Sequence, residues 1–296
     1  MNKRRGVGEN ALFELEAVTT STPARGGIND KKKSRFHLDW PVRKPRGHLS
    51  KPAAVQTVGL LQFAPQQRDA VGNVSFICDS LTRTTNAIIV LPEFFLSSYS
   101  SYEDSILGRA QLATILAPLQ KLAERNRLSL VGSLPVRKAD RSANSVVIIH
   151  RGTTRFTPQD KQRLFGREED DFTSGSHRNR TTIGDVATSV QICMDIVDPI
   201  PVREAVAEGA RLVLAPSTVS VDFLRTIHKA RSLENQAVNV FCNRIGKDVD
   251  GTIYLGRSAL FFPDGAELPA SSRDEELITA DVDMSQVVGF KAKFGM

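Results

Sequence analysis

The run "AIIVLPEFF", residues 87–95, limits the possible folds more than any other stretch of this 296-residue chain. A strand that alternates apolar and polar residues can lie on a half-exposed sheet. A strand that is apolar on both faces needs material packed above and below it, as in sheets covered by helices or by a second sheet. The run also ends in Pro92 and Glu93. Burying a carboxylate there without a partner costs several kcal/mol. Glu93 therefore either emerges into water at the strand end or reaches the rim of a pocket. In the second case partial desolvation raises its pKa and suits it to proton transfer.

The surrounding sequence supplies the other layers. "AVQTVGLLQFAP", "SLVGSLPV", "NSVVIIHRG", "RLVLAPS", "VNVFCNRIG", "GRSALFFPDG" and "EELITADVDM" read as strands, and "TIGDVATSVQICMDI" as strand, turn, strand. Helical spacing runs through Val71, Val74, Ile77, Cys78 and Leu81, and through Leu112, Ile115, Leu119 and Leu122. "VDFLRTIHKARSLENQA" is a further helix. "PVREAVAEGA" is a short one that Pro201 suits in its first turn and Gly209 can end. Strands alternate with helices in the middle of the chain, and strand runs pair up between them. The expected fold is α/β, a four-layer α-β-β-α sandwich.

Charge divides the chain into two parts. The net charge is +6, but residues 1–54 carry 12 Lys and Arg against 5 Asp and Glu, which leaves the remainder at −1. Residues 1–54 read as a basic, loosely attached or disordered N-terminal extension, and residues 55–296 as the folded domain. Aromatic interleaving in the extension is limited to Phe36 and Trp40, so nucleic acid is not the expected partner. No apolar run approaches the roughly 20 residues of a membrane helix, and the N-terminus lacks the apolar core of a secretory signal. The expectation is a soluble protein with no membrane partner. Three widely spaced cysteines, Cys78, Cys193 and Cys242, form neither a metal-ligand pattern nor a disulfide framework, which points to a reducing, cytoplasmic setting and to no metal. Cys78 and Cys242 read as packing residues.

Three places carry chemistry. Glu93 is the first. Lys161 is the second, at the end of a short extended run in "TPQDKQRLFGREEDDFTSG". Taken alone, this lysine and the carboxylates Glu168, Glu169, Asp170 and Asp171 read as a solvated loop. Cys193 is the third, delivered by the strand Val186 to Ile192 to a carboxyl end, where α/β architectures place ligands. A thiolate at neutral pH needs a cation or a base beside it, and none of the five histidines is an adjacent candidate by spacing. Lysine with glutamate is the other way to hold it.

In order, "VGLLQFAP", "IIVLPEFFLSSYS", "NSVVIIHRG", "DKQRLFG", "DFTSG", "VQICMDI", "GARLVLAPS", "ARSLENQAVNVFCNRIG" and "GRSALFFPDG" fall where the blocks of the carbon–nitrogen hydrolase (nitrilase) superfamily fall. The resemblance covers about residues 55–285. It implies the same α-β-β-α sandwich, a Glu-Lys-Cys triad at Glu93, Lys161 and Cys193, and no cofactor. It also implies a second glutamate after the lysine, for which Glu168 matches best and Glu169 is the near alternative. In the implied mechanism Lys161 stabilises the Cys193 thiolate and later the tetrahedral oxyanion, with the Met194 N–H as a second donor. Glu93 moves the protons, and a thioester intermediate forms.

Nitrile hydrolysers in this superfamily typically carry tryptophan after the cysteine, and Met194 stands there instead. That tilts the implied substrate toward a small amide or N-carbamoyl compound. Asp195, whose family counterpart is usually acidic, reads as structural. The resemblance further implies a homodimer or larger. Residues 218–229 look short, "DIVDPIP" lacks the usual arginine–aromatic–proline pattern, and the C-terminus stops early. A catalytically silent binding or assembly protein on the same fold, a nitrilase and an acyl transferase are the alternative readings.

Overall fold

The computed structural model describes residues 55–176 and 180–287, together with the backbone of four strand segments in residues 1–54. Side chains of residues 156–158 are outside the description. Strand β1 (Val55–Gln62) leads through helix α1 (Ala70–Leu81) to β2 (Ala87–Glu93). Helix α2 (Arg109–Asn126) precedes β3 (Ser129–Arg137), β4 (Ser142–His150) and β5 (Thr153–Asp160). A single turn, α3 (Glu168–Asp171), leads to β6 (Thr181–Ile183) and β7 (Val186–Val190). Then come α4 (Pro199–Ala207), β8 (Leu212–Pro216), α5 (Phe223–Asn235), β9 (Val238–Cys242), β10 (Ala259–Phe261), β11 (Glu267–Pro269) and β12 (Glu276–Asp283).

These strands form two sheets. The first runs β5-β4-β3-β2-β1-β12, parallel from β1 to β3 and antiparallel elsewhere; the second runs β6-β7-β8-β9-β10-β11, parallel from β7 to β9. The period-2 geometry of a strand explains the layering. Val58, Leu60, Ile88, Val90, Val131, Val146 and Ile148 join the core shared with the second sheet. Their neighbours Leu61, Ile89, Leu91, Leu130, Val147 and Ile149 join the core with α1 and α2. Helices α4 and α5 cover the second sheet through side chains such as Val202 and Leu224. The expected α-β-β-α sandwich is the observed architecture.

Local chemistry sets the helix ends. The Asp69 side chain accepts the Gly72 N–H at 2.8 Å and caps α1. Asp198 caps α4, which has Pro199 and Pro201 in its first turn and stops before Gly209 at φ +99°. Two details depart from the sequence reading. Val71 is 74% exposed because it sits roughly 90° around the helix from the stripe of Val74, Ile77 and Leu81. "VNVFCNRIG" is not one strand: β9 stops at Cys242, and Ile245–Lys247 pairs instead with Ile253–Leu255. The break falls where the Asn243 side chain binds the backbone of Val219 and Gly256.

In residues 1–54, the strand Leu15–Ser21 pairs with β12, and Lys32–Phe36 pairs with it in turn. Ala11–Leu12 pairs with Asp39–Trp40, and the rest of the segment expected to be a loosely attached extension lies outside the described residues.

Candidate active site

Four backbone features converge on one point between the sheets. The first is the end of β2. Its ladder with β3 shifts register between Val90 and Glu93, and Phe94 turns into the left-handed region at φ +55°. That break takes Glu93 out of the alternating pattern and leaves it 1% exposed. The second is the end of β5. Lys161 follows directly, its N–H bonded to Asn144 O at 2.8 Å and its own carbonyl accepting the Gly175 N–H at 2.8 Å. The third is α3, which carries Glu168 inward while Glu169, Asp170 and Asp171 stay exposed. The fourth is the turn after β7, where Cys193 opens a 3₁₀ segment, Cys193–Val197, at φ +48°. A left-handed non-glycine residue costs of order 1 kcal/mol or more and persists only where its surroundings hold it.

The side chains meet. The Lys161 Nζ donates to Glu93 Oε1 at 2.8 Å and to Glu168 Oε2 at 2.6 Å. The Asn144 Nδ2 donates to Glu93 Oε1 at 2.8 Å and to Glu168 Oε1 at 3.3 Å. The Phe165 N–H completes Glu168 by donating to Oε2 at 3.0 Å. The Cys193 Sγ lies 3.8 Å from Thr218 O, and the Thr218 hydroxyl donates to Glu93 O at 3.0 Å. The structure therefore brings together Glu93, Lys161, Glu168 and Cys193, and it places Glu168 rather than Glu169 beside the lysine. The Met194 N–H, expected as a donor, makes no hydrogen bond to another described residue.

Burial dominates the electrostatics. It pushes the Glu93 carboxyl up to about 7, against the opposing pull of Lys161 and with a smaller upward push from Glu168. Burial alone would lower Lys161, but the charges of Glu93, Cys193 and Glu168 hold it well above its ordinary value. The thiol is shifted as well. Burial first, then the Glu93 and Glu168 carboxylates, push Cys193 well above the ordinary thiol value and outweigh Lys161 and the Thr218 carbonyl contact.

Asp195 connects two of these segments. Its Oδ1 accepts the Gln162 and Arg163 N–H groups at 3.0 and 2.8 Å, and its Oδ2 accepts the Ile192 N–H at 3.2 Å. One buried carboxylate thus ties the loop after Lys161 to the turn that holds Cys193. This fits the structural reading of Asp195. Burial raises its pKa to about 6.

Three contributors escaped the sequence reading. Asn144 sits in "NSVVIIHRG", where nothing separates it from an ordinary strand residue; an amide in a strand apolar on both faces is the one signal it offers. Thr218 sits in a segment read only as short. Tyr99 packs its ring against Phe94 and Tyr102 and donates its hydroxyl to Phe165 O at 2.6 Å. Its phenol is pushed up by burial and then by Glu168 and Glu93, which puts it at the edge of the same cluster.

The carbon-nitrogen hydrolase family matches residues 53–292. The (R)-stereoselective amidase of a Pseudomonas species is 27% identical over 252 residues, covering 78% of this chain and 86% of that protein. The omega-amidase YafV of Escherichia coli K12 is 27% identical over 217 residues, covering 71% and 83%. Among solved structures, a mutant of the Nesterenkonia AN1 amidase from the nitrilase superfamily superposes with a TM-score of 0.69 at 22% identity, covering 82% of this chain and 95% of that one, a likeness of fold. Another form of that amidase shows covalent addition of the acetamide moiety of fluoroacetamide at its active site cysteine. With its family match spanning most of the chain and its sandwich shared with nitrilase-superfamily amidases, this protein belongs to the carbon–nitrogen hydrolase family, as an amidase-type hydrolase of carbon–nitrogen bonds other than peptide bonds.

Proposed function

We propose that the chain cleaves a small amide or N-carbamoyl substrate through a thioester on Cys193, with Glu93 as the proton carrier and Lys161 as the oxyanion donor. The observation that carries this reading is the Lys161 ammonium, held between two buried carboxylates beside the Cys193 turn. Thiol with carboxylate and thiolate with carboxylic acid have the same total charge, so passing the proton from Sγ to Glu93 as Sγ attacks adds no net charge to the buried site. The sulfur–carbon bond forms while the carbonyl electrons move onto oxygen, which the Lys161 Nζ and the Met194 N–H stabilise. One such donor supplies roughly 3–4 kcal/mol of barrier reduction. Collapse expels the amine, which takes the proton from Glu93. Glu93 then accepts a proton from water as it attacks the thioester, and the sulfur leaves and regains its proton.

Ammonia release from a panel of primary amides, N-carbamoyl compounds and nitriles tests the substrate class. Added hydroxylamine would trap a thioester as the hydroxamate. Turnover with no trappable acyl-enzyme and full activity in Cys193→Ala would sink the reading.

Assembly as a dimer or larger is part of the same proposal. Ile200 on α4 and Phe223 on α5 are 59% and 50% exposed on helices that follow the cysteine turn and the Thr218 loop. Light scattering of the purified protein tests it, and a monomer at micromolar concentration would remove it. Cys78, Cys193 and Cys242 are all free, which supports a reducing, cytoplasmic setting. Among the described residues no helix is long and apolar enough to cross a membrane.

A further inference from the structure

Glu93 and Glu168 share a single ammonium, yet their hydrogen bonding is unequal. Both oxygens of Glu168 are engaged: its Oε2 accepts Lys161 Nζ and the Phe165 N–H, and its Oε1 accepts Asn144 Nδ2. Glu93 accepts Lys161 Nζ and Asn144 Nδ2 on the same oxygen, Oε1. Its Oε2 is buried and accepts no hydrogen bond. Asn144 is itself fully buried and gives one side-chain N–H to each glutamate, while its backbone carbonyl receives the Lys161 N–H at 2.8 Å. One neutral residue thus touches three members of the cluster. Its amide orientation is fixed by chemistry, because the flipped form would set Oδ1 against two carboxylates.

We propose that Asn144 is a positioning residue that divides the labour between the two glutamates. Its paired N–H groups occupy the last oxygen of Glu168 and turn Glu93 so that Oε2 is the one carboxylate oxygen left free to take the thiol proton. A second lysine in its place would neutralise the pocket and weaken the base. An amide supplies the two donors without the charge. This rests on the reading of Glu93 as the proton carrier.

The test compares Asn144→Ala, Asn144→Ser and Asn144→Asp in the full chain, with thermal melting to verify folding. The charged and titratable groups around Glu93 are Lys161, Glu168, Cys193 and, at the edge, Tyr99. Removing the N–H donors withdraws stabilisation from the charged form of Glu93, so its proton is held to higher pH. The acid limb of kcat/KM should move up by about one pH unit in Asn144→Ala, less in Asn144→Ser and more in Asn144→Asp, which adds a third carboxylate. At pH 7, kcat should fall by about 10- to 100-fold with KM within about threefold.

A folded Asn144→Ala enzyme with an unmoved acid limb and kcat within about twofold overturns the proposal. Should the alanine variant not fold, the serine and aspartate variants decide, and any order other than a smaller shift for serine overturns it. Cys193→Ala is the control. If it is inactive while Asn144→Ala is unchanged, only the role of Asn144 falls. If it is active, the thiol reading beneath it falls instead.

Discussion

Cys193 and Cys242 are buried almost equally, at 5% and 0% exposure, and they flank the same short segment, Ser217–Thr218. Burial pushes both thiols well above their ordinary value. Around Cys242 nothing else acts except a hydrogen bond to Leu61 O at 3.4 Å. Around Cys193 stand a carboxylate base, an ammonium and a left-handed turn that aims the sulfur out of the strand pattern. Neither burial nor a shifted thiol therefore distinguishes a nucleophile from a packing residue in this protein. In the proposed reading the difference is a proton acceptor within reach and a cation ready for the charge that develops during attack.

The comparison can be broken most decisively by Cys193→Ala, which should abolish turnover of every amide, at least about 10⁴-fold below wild type in a steady-state assay. Glu93→Gln and Lys161→Met come next, each expected to lower kcat/KM by about 10²- to 10⁴-fold with Cys193 intact. A variant of either that keeps a tenth of the wild-type rate would erase the distinction drawn between the two thiols. Asp195→Asn should then cost about tenfold in kcat, since it loosens the tie between the Lys161 loop and the cysteine turn while leaving each reacting group in place.

The pH profile sharpens the same contrast. Glu93 must be unprotonated to accept the thiol proton, and its value is raised from 4.5 to about 7. The rate should therefore fall below about pH 7, approaching tenfold per pH unit. Alkylation of Cys193 by iodoacetamide should follow the same acid limb, whereas Cys242 should react only on unfolding. A flat profile between pH 5 and 8 would contradict the assignment of the base. The smallest effect belongs to Cys242→Ala, which should leave kcat within about twofold and cost about 1 kcal/mol of stability for the buried sulfur removed. Urea titration and initial rates on one preparation measure both.

The layers were legible because continuous apolar runs such as "AIIVLPEFF" and "NSVVIIHRG" state directly that both faces are covered. Helix faces were legible to within about one residue, and Val71 shows the limit, since spacing alone does not say where the stripe ends. The triad positions were readable as isolated residues, but their meeting was not: Lys161 and Glu93 are 68 residues apart, and Asn144 and Glu93 are 51 apart. Glu168 looked like one of four solvated acids until the resemblance singled it out, because only the turn of α3 decides which of the four points inward. The direction in which the Cys193 thiol is shifted was not readable at all. It depends on how burial and two carboxylates balance one lysine, which is a property of three-dimensional spacing.

Glu93, Lys161 and Glu168 hang from one half of the sandwich, and Cys193 hangs from the other. In the proposed reading the sulfur and its base are thus brought together by the docking of two slabs, helped by the Asp195 tie between the Lys161 loop and the cysteine turn. Turnover becomes a gauge of that docking. Heat or denaturant that lets the slabs slide by a bond length should silence the enzyme before either slab loses its own hydrogen-bonded ladder.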